Sequence, residues 1–129
     1  MTWANAYVGI PYCSGGRDRN GCDCWGLFHL ISREQFARDI PSYAGAYADA
    51  TEHAEIGRLI NSGISDWKRV DIEEPGDGLL IRCVGAPHHV ATVIDRLWMI
   101  HARHGISSEI CRINDWRARI VGCYRLRAE

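Results

Sequence analysis

The spacing of apolar positions along this chain changes once, near its middle. Between Asp23 and about Arg38, Cys24, Leu27, Phe28 and Ile31 recur at helical spacing, and Asp23 stands where an N-cap is needed. The pattern predicts a helix that begins at a cysteine and buries it on the apolar stripe. Pro41-Ser42-Tyr43-Ala44-Gly45 interrupts it. Asp49, with Glu52 three residues on, opens a second predicted helix that carries Ile56, Leu59 and Ile60 and closes at Asn61-Ser62-Gly63. After Asp66 short β-rich runs take over, around Trp67 to Val70, Gly78 to Cys83, His89 to Ile94, Leu97 to Ala102 and Ile120 to Leu126. Turn signals fall at Glu74-Pro75-Gly76-Asp77 and Asp95-Arg96. Helices followed by consecutive strands predict an α+β domain, with N-terminal helices packed on one face of a C-terminal antiparallel sheet.

A length of 129 residues with 47% hydrophobic content predicts one catalytic-sized domain over 1–129 with a proper core. Fifteen basic residues against sixteen acidic ones give a net charge of -1, so charge supplies no reason to expect nucleic acid or an anionic membrane as partner. The stretch Met1-Thr2-Trp3-Ala4-Asn5-Ala6-Tyr7 lacks the basic start and apolar run of a secretory signal. Synthesis as a soluble cytoplasmic protein without membrane insertion is expected. In that setting the six cysteines read as free thiols, several of them small buried apolar residues.

Chemistry concentrates where the glycine-bearing stretch Gly15-Gly16-Arg17-Asp18-Arg19-Asn20-Gly21-Cys22-Asp23, irregular in its pattern, meets the first helix. A thiol in the first turn of a helix faces unpaired backbone N–H groups and the positive end of the helix dipole, both of which favour thiolate. Cys24 is therefore the candidate nucleophile. A cysteine nucleophile needs a base, and the base needs a group to hold its ring. His89 and His101 flank the Asp95-Arg96 reversal. A loop centred on Asp95 makes them cross-strand partners on one face, with Ala91, Val93, Leu97 and Met99 beside them as a surface for the Cys24 helix. A two-residue loop pairing Ile94 with Leu97 would send the two rings to opposite faces. Alternation along the strand turns His88 away from the face of His89, which makes His89 the preferred base.

Tyr12, upstream across the glycines, is a candidate to approach the thiol or to donate to a developing oxyanion. Zinc drawn around Cys22, Cys24, His88 and His89 is disfavoured, because structural ligands come as pairs two to four residues apart and these spacings are closer. No metal or other cofactor is expected. Asp23 is an N-cap that fixes the loop, Cys22 is a loop thiol able to meet Cys13 only under oxidation, and His29, His53 and His104 read as surface residues.

Gly9-Ile10-Pro11-Tyr12, Gly15-Gly16, Asp23-Cys24-x-Gly26-Leu27, Pro75-Gly76-Asp77, His89-Val90 and Met99-Ile100-His101-Ala102 together resemble the successive motifs of the NlpC family of papain-like cell-wall cysteine peptidases. The resemblance runs in order from Tyr7 to Ala102. It implies a papain-like fold, a Cys24, His89, His101 triad, and cleavage of amide bonds in the stem peptides of bacterial peptidoglycan. It places Tyr12 on the tyrosine that lines the family's active site and Asp23 on the acidic residue before its nucleophile. Trp25 replaces the small serine that often follows the cysteine, which implies an altered substrate groove. The Asp-Cys-Trp-Gly-Leu wording and Pro87-His88-His89-Val90 look most like the phage and prophage branch. That implies a tail-associated peptidase held by tail proteins and acting at the host wall. A structural tail component without activity, and a thiol amidase or acyltransferase on a small substrate, are the alternatives.

Overall fold

Asp23 is extended, and its side chain accepts the Gly26 N–H at 2.8 Å, so the first helix, α1 (Cys24–Phe36), begins at the cysteine as its sequence predicts. These features come from a computed structural model of the chain, which describes residues 3–42, 67–83 and 86–126. The second predicted helix falls in 43–66, outside the described residues, as does His53. Helix α1 stops where Ala37 turns left-handed (φ 50°) and the Arg38 N–H reaches the Ser32 carbonyl at 2.9 Å.

The glycine stretch before α1 is ordered. Strands β1 (Arg17–Asp18) and β2 (Gly21–Cys22) form a small antiparallel pair around Arg19-Asn20, and Tyr12 bridges to Cys22. The pair lies so close to α1 that a Cβ on Gly26 would stand 2.0 Å from the Gly16 carbonyl oxygen. In an open helix Gly→Ala stabilises. Here the obstacle is backbone, and Gly26→Ala is expected to destabilise the fold by about 1–3 kcal/mol, read as a lower urea midpoint.

Six further strands make one antiparallel sheet: β3 (Trp67–Val70), β4 (Gly78–Cys83), β5 (Ala86–Val93), β6 (Trp98–Arg103), β7 (Ile106–Arg112) and β8 (Ile120–Leu126), in the order β3-β8-β4-β5-β6-β7. Five match the predicted runs to within three residues at each end. The sixth, β7, was not among them. It returns from β6 through His104-Gly105, where Gly105 has φ 83° and Arg103 pairs with Ile106, a two-residue hairpin that needs glycine.

Both faces of this sheet are covered, which alters one expectation. Leu80, Val90, Ile94, Ile100 and Ala102 take α1 through Cys24, Leu27, Phe28, Leu30 and Ile31. Leu79, Ile81, Ala91, Val93 and Met99 face the other way, against Ile113 and Trp116 of the short helix α2 (Ile113–Trp116). The expected surface for the Cys24 helix, Ala91, Val93 and Met99, is thus the opposite one, and Leu97 is exposed in the loop. Residues 90–94 are buried without alternation, so the run carries no mark of which face the helix will choose. Likewise α1 is buried on all sides from Cys24 to Ser32, and His29, read as exposed, is buried with it.

Candidate active site

Cys24 is the first residue of α1, 3% exposed, and packs in a cluster with Trp25, Phe28, Leu80 and Val90, the last being the neighbour of His89 on β5. His89 and His101 are each 1% exposed. The β5–β6 register pairs Thr92 with Ile100 and Val93 with Met99, which centres the reversal on Arg96 and not on Asp95. Asp95 causes the difference: its Oδ1 accepts the N–H groups of Leu97 (2.8 Å) and Trp98 (3.0 Å), and this side-chain turn lengthens the loop. A shift of two residues keeps the parity. The histidines are therefore diagonal on one face, not opposite, and their rings meet with His89 Nε2 3.0 Å from His101 Nδ1. Ladder irregularities lie beside both, at Ile81/Cys83 and at His101/Arg103. The ring of His88 lies outside the described residues.

The chain of contacts continues. His101 Nε2 is 2.9 Å from Glu109 Oε2, and Arg103 donates to the same oxygen from Nε (3.2 Å) and Nη2 (3.1 Å). Trp116 meets the His101 ring edge-on at 5.0 Å. Glu109 sits directly opposite His101 on β7, a strand outside the runs the sequence pattern predicts, so Glu109 is not among the residues expected at the site. The alternation of Ile106, Ser108 and Ile110 with Ser107, Glu109 and Cys111 after a His-Gly turn was the available signal.

Burial pushes the His101 imidazole below its ordinary 6.5, outweighing the hydrogen bond and charge of Glu109, which act upward. Burial alone would raise Glu109, but the hydrogen bonds from His101 and Arg103 hold it below the usual carboxylate range. The two directions agree if a neutral imidazole donates to a carboxylate. A base with a lowered folded pKa contributes stability that is present above its unfolded value and lost as pH falls. Buried His29 shifts the same way. The urea midpoint is therefore expected to fall from about pH 6.5 downward, before carboxylates titrate, and His101→Gln should flatten that limb.

Asp23 is fully buried and works as expected: it caps Gly26, accepts the Gly15 N–H at 2.8 Å and pairs with Arg17 at 3.0 Å, tying the glycine loop to the start of α1. Trp25 is buried against Phe28 and Trp67, with Nε1 donating to the Pro41 carbonyl at 2.7 Å. It is a core residue in the cluster that holds Cys24. The Tyr12 hydroxyl is buried and has no hydrogen-bond partner among the described residues. Its ring packs edge-on to exposed His104, and Pro11, Tyr12, His104, Gly105, Ile106 and Ser107 line an open cleft of about 400 Å³. Burial pushes the Cys22 and Cys123 thiols up to about 12 and Cys111 up to about 11. None of these three sits in the first turn of a helix.

A helix opening on cysteine, laid on an antiparallel sheet that carries two hydrogen-bonded histidines, defines a papain-like α+β domain. Residues 9–125 match the NlpC/P60 family, and the chain belongs to it. The fold is similar to the crystal structure of the NlpC/P60 domain of the peptidoglycan hydrolase SagA (TM-score 0.65, 21% identity, 97% of this chain and 94% of that one). It is also similar to an NlpC/P60 family protein from Bacillus cereus (0.67, 25%, 97% and 38%) and to a lipoprotein-like NLP/P60 protein from Staphylococcus aureus (0.65, 19%, 100% and 40%). This chain thus spans less than half the length of the latter two. No curated protein sequence matches it.

Proposed function

We propose that this chain is a cysteine peptidase that hydrolyses amide bonds in peptidoglycan stem peptides, with Cys24 as nucleophile, His89 as base and His101 as the residue that orients it. The observation that carries the reading is the hydrogen-bonded chain from Glu109 through His101 to His89, which favours one tautomer at each ring. The Glu109 carboxylate accepts from His101 Nε2–H. His101 Nδ1 is then an acceptor and takes the proton of His89 Nε2–H, so the lone pair of His89 lies on Nδ1, the nitrogen turned away from His101. In this reading that atom takes the thiol proton of Cys24, which packs beside Val90, the residue that follows His89. The thiolate attacks the amide carbon, the developing oxyanion is met by the Cys24 backbone N–H with Tyr12 as second donor, and the amine leaves with the proton held by His89. Water, deprotonated by His89, then releases the acyl group from Cys24.

A peptidoglycan substrate is supported by family membership and by the neighbour described as a peptidoglycan hydrolase. The open cleft beside Tyr12 lies on the segment that bridges to Cys22, and Cys24, His89 and His101 are not part of its lining. The phage-tail setting, with tail proteins as partners and the host wall as site of action, rests on the wording around Cys24 and His89. The test is digestion of Gram-negative and Gram-positive peptidoglycan fragments by the protein and its Cys24→Ala variant, with products identified by mass spectrometry. New stem-peptide fragments absent from the variant digest support the reading. No cleavage by a protein whose Cys24 is alkylated readily moves the substrate to another amide, and an inert Cys24 favours the structural role.

A further inference from the structure

A second set of ligating atoms converges at the far end of the His101 ring from His89. Strands β6 and β7 place Glu109 opposite His101, and Cys111 follows Glu109 by two positions, on the same face. His101 Nε2, a Glu109 carboxylate oxygen and Cys111 Sγ all lie within 4.8 Å of one another. Measured from Nε2, Oε2 is at 2.9 Å and Sγ at 3.5 Å. An imidazole, a carboxylate and a thiol held by one β-ladder form an N, O, S donor set that fits a tetrahedral cation with three protein ligands and one open position.

We infer that His101, Glu109 and Cys111 bind a zinc-class divalent cation, and that its binding switches off the proton relay by reversing the tautomers of His101 and His89. The inference rests on the catalytic reading above. Glu109 is one-third exposed and Cys111 partly so, which gives an ion a way in from solvent. Arg103 is the competitor for Glu109, but its side chain is 41% exposed, and an exposed ion pair of this kind is given up at little cost. The Trp116 ring against His101 restrains the imidazole where the ion meets it. Cys111 binds a cation as thiolate, so binding releases the thiol proton and strengthens with pH.

The protons balance. In the free protein each imidazole carries one, on Nε2 of His101 and on Nε2 of His89. A cation on His101 Nε2 displaces its proton, and the remaining proton on that ring must sit on Nδ1, which becomes a donor to His89 Nε2. His89 then carries its own proton on Nδ1. The two rings together keep two protons, and the net release is the one from Cys111. With Nδ1 protonated, His89 has no lone pair to offer the Cys24 thiol, and hydrolysis stops without any contact between the ion and Cys24.

Zinc also binds catalytic thiols directly, so the test uses the Cys24→Ala protein, which needs no activity. Cobalt(II) added to it is expected to give thiolate-to-cobalt absorption at one equivalent, zinc to displace it, and a further Cys111→Ser change to abolish it. Ring ¹⁵N shifts of the same protein should show the proton of both histidines moving from Nε2 to Nδ1. In protein with Cys24 intact, zinc should inhibit hydrolysis, and Cys111→Ser should raise the half-inhibitory concentration at least about tenfold relative to its own metal-free rate. Absorption that survives Cys111→Ser, absorption that requires Cys24, no absorption in any protein, or binding with unmoved tautomers would each overturn the inference. Absorption and tautomer reversal in a protein that cleaves no peptidoglycan would leave the metal site standing and sink the catalytic reading instead.

Discussion

Cys24→Ala is expected to reduce hydrolysis of a stem-peptide substrate to background, a loss on the order of 10⁴-fold or more, with the fold unchanged by circular dichroism. His89→Ala should cost about 10²–10⁴-fold, since the acyl-enzyme route survives without its base. Glu109→Gln should fall lower in the series, about 10–100-fold, because a one-third exposed carboxylate can be partly replaced by water in orienting His101. The graded series separates a relay from three independent contributions: in a relay, His89→Ala combined with Glu109→Gln is no worse than His89→Ala alone. A structural effect of Glu109 would not disturb the protons of the relay. Low-field imidazole N–H signals from His101 and His89, protected by burial in the native protein, are expected to disappear in Glu109→Gln while melting changes little. Additive losses in the double variant would show that Glu109 acts outside the relay.

The largest effect on stability is expected at the Asp77–Arg125 pair, far in role from the thiol. The Asp77 carboxylate is fully buried and takes Arg125 Nε and Nη2 at 2.8 Å each, with the Glu74 N–H at 2.8 Å and the Cys123 thiol at 3.6 Å. One group thus closes the turn before β4 and ties it to β8. Removing one partner of a buried pair leaves the other's hydrogen bonds unmade, which costs more than the pair contributes when intact. Asp77→Ala should lower stability by about 3–5 kcal/mol, or Tm by on the order of 10–20 °C. Arg125→Ala, which strands the carboxylate itself, should be at least as damaging. Since β4 pairs with β5 at Ile81 and His89, hydrogen exchange in that hairpin should rise with either change. Equal urea midpoints for Asp77→Ala and the native protein would show that the pair is dispensable.

The motif Pro75-Gly76-Asp77 could be read from the chain as a turn, yet its partner Arg125 lies 48 residues away and carries no local mark. The same contrast runs through the site. Local chemistry was legible: Asp23 caps the helix, so Cys24 had to lie in its first turn, and strand parity put His89 and His101 on one face whichever even register formed. Non-local choices were not. The side chain of Asp95 selected the loop length and moved the register by two residues. The sheet faces around 90–94 are equally apolar, so only packing decided that α1 would take Val90 and Ile100 and leave Ala91 and Met99 to α2. Glu109 and Cys111 joined His101 because a polar edge strand, weak in its own signal, found its place beside β6. What the sequence by itself determined is what acts within one turn or one strand: caps, parity, and the order of thiol and imidazoles. The tertiary structure decided register, facing and the reach of Glu109 to His101, because those depend on buried surface and side-chain pairing summed over segments distant along the chain.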